Sequence, residues 1–179
     1  RDRSPSRGLG DVYKRQVAAC SHPPICSISV MIKKQPLKAI NGFPSHVKSG
    51  EDLITWAKLS TITQIAYSTE PLAIYNMGEG YILTNTPPRT QDEGDPVGNE
   101  LKILLSKTSE KTRKDLKKYI SLWHKMRAST DIRYNFKKKA IKECFLSLKY
   151  NPMNRKVYLF LIISILPFCI KKYIISHYI

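Results

Sequence analysis

Apolar residues recur at helical spacing among many lysines over most of the second half of the chain, and this pattern limits the fold more than any other feature. It predicts three helices, at residues 97–106, 109–128 and 131–150, before Asn151-Pro152 breaks the chain. Residues 101–179 contain 19 Lys and Arg against 4 Asp and Glu, so they carry 19 − 4 = +15 of the total formal charge of +16. A basic helical region of this kind favours an anionic partner, either nucleic acid or an anionic membrane surface.

The last apolar segment, residues 157–170, contains 14 residues without a charge. A membrane-spanning helix needs about 20 apolar residues, and Pro167 would kink a helix here. Flanking lysines and tyrosines suit a segment that lies at the level of the lipid headgroups. We therefore predict surface association with a membrane, and the alternative is a helix that closes the core of a soluble domain.

The first half of the chain predicts strands as well as helices. The run at 25–32 is β-branched and apolar, as a buried strand should be, and two shorter strands are expected at 64–67 and 72–75. A short helix is expected between the first two of these, at 33–40. The expected fold class is therefore α/β, followed by a mostly α-helical tail.

Two signals mark helix ends in this half. The short helix should end at Asn41-Gly42, because Gly tolerates the left-handed conformation that a helix terminus often needs. Helical spacing resumes at residue 51, where Ser49 and Asp52 have the spacing of a capping box.

Composition divides the chain into four stretches. Residues 1–16 look like the translation of a sequencing-library adapter, so we leave them out of the fold reasoning and expect the native sequence to begin near Val17, in the middle of a protein. Residues 17–84 form the α/β part, 85–99 a hinge loop with three prolines, and 100–179 the basic helical region. With 42% apolar and 25% charged residues, the chain is globular rather than disordered.

Two carboxylates, Glu51 and Asp52, follow Gly50 at the first turn of the longer helix. The partial positive charge of a helix N-terminus stabilises ionised acids, and a carboxylate held there can act as a general base on a hydroxyl within hydrogen-bond reach. Trp56 lies four residues after Asp52 on the same helix face, where its ring could meet a sugar. The alternatives are that the acids only cap the helix and that Trp56 packs in the core.

Three runs in this region resemble the second half of family 2 glycosyltransferases: SISVMIKK at 27–34, INGF at 40–43 and SGEDLITW at 49–56. In that family a strand leads to a short helix, a Gly-Gly-Phe-Asp-like turn and a Glu-Asp motif that opens the acceptor-side helix. Asn41 replaces the usual first glycine of the turn and Pro44 the frequent aspartate. The resemblance covers residues 25 to 76 well and the tail more loosely.

The resemblance implies the C-terminal remnant of a GT-A nucleotide-diphospho-sugar transferase fold, with residues 17–84 on the acceptor side. Asp52 would be the catalytic base of inverting transfer, which deprotonates the acceptor hydroxyl that attacks the anomeric carbon of the sugar. Glu51 would support or position Asp52. Gly50 would allow close approach of the acceptor, and Trp56 could line the acceptor side.

The resemblance also implies a nucleotide-sugar donor, a saccharide or lipid-linked acceptor, and a divalent metal (Mg or Mn) in the full-length enzyme. In the family an Asp-x-Asp-like motif in the N-terminal half binds this metal, and no such motif precedes residue 25. The acidic run at 91–95 follows the catalytic helix, so we expect a solvated hinge there. We therefore expect no metal ligands in this chain, no activity from it alone, and a cytoplasmic location at the inner face of the cell membrane.

Two functions without catalysis are the alternatives. Lysine-rich stretches at 111–118 and 137–139 could contact phosphates, but no recognised DNA- or RNA-binding motif appears, so no specific nucleic-acid partner is expected. The other alternative is a membrane-surface anchor built on residues 157–179. The cysteines and histidines lack the spacing of a zinc site, and we expect reduced thiols.

Overall fold

The part of the chain that the structure describes is α-helical. The computed structural model describes residues 25, 27–66, 73–74, 94–168, 170–171 and 173–174. A 3-10 turn at Ser27–Ser29 precedes six α-helices, which are α1 (Lys34–Ala39), α2 (Glu51–Ile62), α3 (Pro96–Lys107), α4 (Glu110–Arg133), α5 (Lys137–Tyr150) and α6 (Arg155–Ile165). The described residues fall into two compact units that divide within α4. We call the residues up to Tyr119 the N-terminal unit and those from Ile120 onward the C-terminal unit.

The predicted α/β fold class, and with it the GT-A remnant, is wrong for these residues, because they contain no strand. The run at 25–32 includes the 3-10 turn instead, and the side chains of Ile28 and Met31 are 51% and 100% exposed. A strand pairs its backbone N–H and C=O groups with a neighbouring strand, and the described segments supply no such neighbour. Residues 64–66 and 73–74 also lack regular structure, and the rest of the two shorter predicted strands lies outside the described residues.

The predicted short helix is confirmed as α1, and it ends where the sequence indicated. Asn41 and Gly42 both adopt the left-handed conformation, with φ of 63° and 71°. The Gly42 N–H donates to the Leu37 carbonyl at 2.9 Å, which satisfies one of the carbonyls that a helix end leaves unpaired.

The predicted helix from residue 51 is confirmed as α2, and it is the central helix of the N-terminal unit. Five consecutive side chains, from Leu53 to Ala57, are buried, and Leu59 is buried as well. A helix that is buried on nearly all sides must pack against neighbours in several directions, and α2 contacts both α1 and α3. The ion pair between Lys58 Nζ and Glu100 Oε2, at 2.9 Å, joins α2 to α3.

Helix α3 begins at Pro96, inside the stretch expected to be a hinge loop. Asp95 caps the helix, because its side chain accepts a hydrogen bond from the Gly98 N–H at 3.0 Å, and Pro96 occupies the first turn. Residues 85–93 lie outside the described part of the chain.

The C-terminal unit is built from the second part of α4 with α5 and α6. The chain stays helical to Arg133 and then turns at 134–136, where Asn135 has a φ of 60° and the Phe136 N–H donates to the Asp131 carbonyl at 2.8 Å. The single helix predicted at 131–150 is therefore wrong at its start. The core of the unit consists of small and apolar side chains from all three helices: Ala128, Ile132, Ala140, Cys144, Val157, Phe160 and Ile163.

Helix α6 covers most of the final apolar segment and ends before Pro167. Leu166 is extended, with ψ of 155°, which is the conformation that a following proline favours. No helix in the described residues is long and apolar enough to cross a membrane.

Candidate functional site

The first turn of α2 presents the two acids that the sequence singled out. Gly50 precedes the helix in the left-handed conformation, with φ of 91°, and its carbonyl accepts the Ile54 N–H at 3.2 Å. Most residues with a Cβ are strained at such a φ, so a glycine suits this position. No side chain caps the helix. The predicted capping box is therefore wrong, because Gly50 rather than Ser49 occupies the capping position.

Asp52 is half-buried, and its carboxylate is oriented by the backbone of its own helix turn. Its Oδ1 accepts the Leu53 N–H at 2.8 Å. Glu51 is half-buried too. Both residues are thus partly exposed at the end of a helix whose partial positive charge favours carboxylates. A carboxylate in this position can accept a proton from a hydroxyl that approaches from solvent.

The turn that carries these acids is fixed from the interior. The Tyr119 hydroxyl donates to the Leu53 carbonyl at 3.0 Å in a buried hydrogen bond. The Thr55 hydroxyl donates to the Glu51 carbonyl at 2.8 Å, and Thr55 is fully buried. Acids on a turn held in this way keep a defined position, which general-base chemistry requires.

Trp56 lies in the core, with 2% of its side chain exposed. Its Nε1 has no hydrogen-bond partner among the described residues. The ring of Phe43 meets it edge-on, with centroids 5.8 Å apart, and Phe43 is 44% exposed. The aromatic ring that reaches solvent here is therefore that of Phe43, and the buried ring of Trp56 packs against it.

A second group of ionisable side chains, which sequence reasoning missed, lies inside the C-terminal unit. Glu143 on α5 accepts hydrogen bonds from His124 Nδ1 at 2.7 Å and from Arg127 Nε at 2.9 Å, both on α4. His124 is fully buried and Glu143 is 6% exposed. Burial alone would raise the pKa of Glu143, but the hydrogen bond from His124 and the charge of Arg127 outweigh it and lower that pKa below its ordinary value.

The tautomer of His124 follows from this pairing. An ionised carboxylate only accepts hydrogen bonds, so His124 Nδ1 carries a hydrogen and donates the hydrogen bond to Glu143. Nε2 is buried without a hydrogen-bond partner in the described part of the chain, and the ring stacks on Tyr150 with centroids 6.1 Å apart. The arrangement joins α4 to α5 and leaves no accessible base.

Nearby groups respond to the same burial. The pKa of Asp131 is raised, first by burial and then by the charge of Glu143. Burial also raises the pKa of the Cys144 thiol to about 12, so the thiol stays protonated at neutral pH. A buried protonated thiol is chemically inert, and Cys144 therefore serves as a packing residue.

Only a weak signal for this cluster exists in the sequence. His124 and Arg127 are three residues apart, and Glu143 has helical spacing with the small residues Ala140 and Ser147. An acid on a face of small side chains indicates a buried charge, which needs a partner. Arg127 and His124 lie 16 and 19 residues before Glu143 along the chain, which is too far for the spacing of neighbouring residues to indicate the contact.

Within the described residues, no group of three or more His, Cys, Asp or Glu side chains could hold a metal ion. The Mg or Mn ion expected for the full-length enzyme does not fit these residues, and it stays a prediction about other parts of the protein. Comparisons of the chain with protein-family models, with curated proteins and with solved structures found no match.

Proposed function

We propose that α2 supplies the acceptor-side base of a sugar-transfer reaction. The observation that carries this proposal is the position of Asp52 on a solvent-accessible helix turn, with one carboxylate oxygen oriented by the Leu53 N–H at 2.8 Å. The similarity of SGEDLITW at 49–56 to the Glu-Asp motif of family 2 glycosyltransferases suggests the reaction in which that carboxylate would take part.

In this reaction Asp52 takes the proton of the acceptor hydroxyl while the hydroxyl oxygen bonds to the anomeric carbon of the donor sugar. The bond between that carbon and the nucleoside diphosphate breaks, and the leaving group departs with the electron pair. Attack from the face opposite the leaving group inverts the anomeric centre. The residue needed on the acceptor side is a positioned carboxylate, which is what α2 presents.

We give other residues of the N-terminal unit supporting roles. Glu51 contributes a second negative charge that orients the acceptor, and Gly50 has no side chain to obstruct its approach. Phe43, exposed and backed by Trp56, offers the apolar surface that one face of a sugar ring needs. We therefore assign the acceptor contact to Phe43 and a supporting role to Trp56.

Donor binding belongs to other residues in this proposal. The nucleotide-sugar and its Mg or Mn ion would be bound by a separate nucleotide-binding half, as the family resemblance implies, and we expect no turnover from the 179 residues alone. The acceptor is a saccharide or a lipid-linked sugar, and the +15 charge of residues 101–179 supports a location at the inner face of the cell membrane.

The test uses the natural gene with any coding sequence that lies in frame upstream. Release of nucleoside diphosphate is measured with UDP-, GDP- and dTDP-sugars and a panel of saccharide acceptors. Asp52→Asn removes the base and should lower kcat by about 100-fold or more, while the Kd for the donor stays unchanged.

Asp115→Asn is the matched control, because Asp115 is also half-buried and belongs to α4 rather than to the turn that carries Glu51 and Asp52. It makes the same change of charge and should leave kcat within about twofold, because Asp115 has no role in the proposed reaction. Turnover of Asp52→Asn within a few-fold of wild type would remove Asp52 from its proposed role.

A further inference from the structure

Helix α6 is apolar on the side that faces away from the core. Val157, Phe160 and Ile163 are buried against the C-terminal unit. A helix that packs one side on a core normally presents polar side chains on the other. The outward side of α6 instead presents side chains that are 48–63% exposed, namely Tyr158, Leu159, Ile162 and Ile165.

Leu159, Ile162 and Ile165 follow one another at spacings of three residues, and Tyr158 lies four residues before Ile162, so the four side chains share one helix face. The apolar exposure continues past Pro167, where Phe168, Ile170 and Tyr173 are 56%, 45% and 61% exposed. We call Tyr158, Leu159, Ile162 and Ile165 the outward row. A contiguous exposed apolar surface of this kind marks an interaction site.

The charge around the outward row indicates which kind of partner binds to it. Residues 120–179 contain 12 Lys and Arg and 2 Asp and Glu, a net charge of 12 − 2 = +10. Both acids, Asp131 and Glu143, are buried, so the exposed side chains of this stretch carry positive charge without compensation. Arg155, seven residues before Ile162 and on the same face, extends that charge to the row itself.

We infer that the outward row docks on an anionic lipid surface. Apolar side chains enter the boundary of the headgroups while Arg155 and the exposed lysines meet anionic lipids. A second copy of the chain fits less well, because its own surface around the row carries the same positive charge. With 11 residues, α6 is about 16 Å long, which suits a helix lying along the surface.

This inference rests on the membrane location in the proposed function but not on Asp52, so the two are measured separately. The full 179-residue chain is floated with vesicles of phosphatidylcholine and phosphatidylglycerol at 3:1, and with vesicles of phosphatidylcholine alone. Binding should require the anionic lipid. Binding to the anionic vesicles should also weaken at high salt. The expected loss is about fivefold for each Lys or Arg whose attraction to the lipid headgroups the salt screens.

The variant Ile162→Gln with Ile165→Gln removes the centre of the outward row and should weaken binding to anionic vesicles by about tenfold or more. The matched control is Ile62→Gln with Ile103→Gln, which changes two isoleucines that are 53% and 50% exposed on α2 and α3. The control should bind as wild type does. Circular dichroism confirms that both variants keep their helices.

Three results would overturn the inference. The first is an equal loss in the control variant, and the second is equal binding to vesicles with and without anionic lipid. The third is a dimer in analytical ultracentrifugation that the outward-row variant dissociates, together with no vesicle binding by wild type. Transfer is assayed with a soluble acceptor without vesicles, so failure of lipid binding leaves the proposed role of Asp52 standing, and the reverse also holds.

Discussion

The two units hold their carboxylates in opposite ways. In the N-terminal unit Glu51 and Asp52 are partly exposed at the start of a helix. In the C-terminal unit Glu143 is buried between His124 and Arg127. The same functional group can accept a proton from a substrate in the first setting and only joins helices in the second.

The comparison also separates the sources of stability. The interior of the N-terminal unit is dominated by α2, with Trp56, Ile54 and Leu59 buried. The C-terminal unit uses small side chains at the contacts between helices, with a pair of buried serines, Ser121 and Ser147, hydrogen bonded at 2.8 Å beside the ion cluster. Substitution of Trp56 should therefore act through lost packing, and substitution of Glu143 through lost charged hydrogen bonds.

The largest loss of stability is expected from Trp56→Ala. Removal of this buried ring leaves a cavity, and such changes cost about 3–5 kcal/mol. Urea unfolding gives the magnitude, and hydrogen exchange should show lost protection across α2. Trp56→Phe keeps most of the volume and removes the unpaired Nε1–H, so it should cost less than about 1.5 kcal/mol. Equal effects of the two substitutions would contradict the packing role.

Glu143→Gln should destabilise the C-terminal unit by about 3 kcal/mol, because His124 and the mostly buried Arg127 lose the carboxylate to which both donate hydrogen bonds. The measurement is again urea unfolding, with loss of exchange protection expected in α5. Glu110→Gln is the control, since the Glu110 side chain is 87% exposed in its ion pair with Arg113 and should change stability by less than about 0.5 kcal/mol. A similar small effect at Glu143 would show that the buried cluster carries no stability.

A smaller effect, on the dependence of stability on pH, follows from the lowered pKa of Glu143. A carboxyl group whose pKa is lower in the folded state stabilises above the pKa of the unfolded chain, about 4. This contribution disappears as the pH falls through the folded value. The difference in unfolding free energy between wild type and Glu143→Gln should therefore shrink between about pH 5 and pH 3.

The titration of Asp131 has the opposite effect on the unfolding free energy in the same experiment. Its pKa is raised in the folded state, so its charge opposes folding and its protonation relieves that cost as the pH falls. Because the charge of Glu143 contributes to this raised pKa, Glu143→Gln also changes the contribution of Asp131. The comparison is therefore made in an Asp131→Asn background, where the difference isolates Glu143. A difference that stays constant from pH 5 to pH 3 would contradict the pairing.

Local pattern predicted most helices, because helical spacing is set by neighbours within one or two turns. Asn41-Gly42 and Glu51 marked the end of α1 and the start of α2 correctly. The run at 25–32 failed because β-branched side chains report a local preference, whereas a strand also needs a partner elsewhere in the chain. The turn at 134–136 was missed because it contains neither Gly nor Pro, although Asn135 is a residue type that tolerates the left-handed conformation.

In the candidate site, too, local features could be predicted from the sequence and contacts between distant residues could not. Gly50, Glu51 and Asp52 were identified because one helix turn holds all three. The burial of Trp56 remained open because it depends on Phe43 and on the packing around α2. The cluster around Glu143 could not be assembled from sequence, since its members meet only after α4 and α5 pack together.

The most direct test of the central claim measures kcat and unfolding free energy for Asp52→Asn and Glu143→Gln side by side in the natural gene product. Asp52→Asn should lose about 100-fold or more in kcat and less than about 1 kcal/mol in stability. Glu143→Gln should lose about 3 kcal/mol and keep its kcat at temperatures where it is folded. An Asp52→Asn protein with the turnover of wild type would contradict the account.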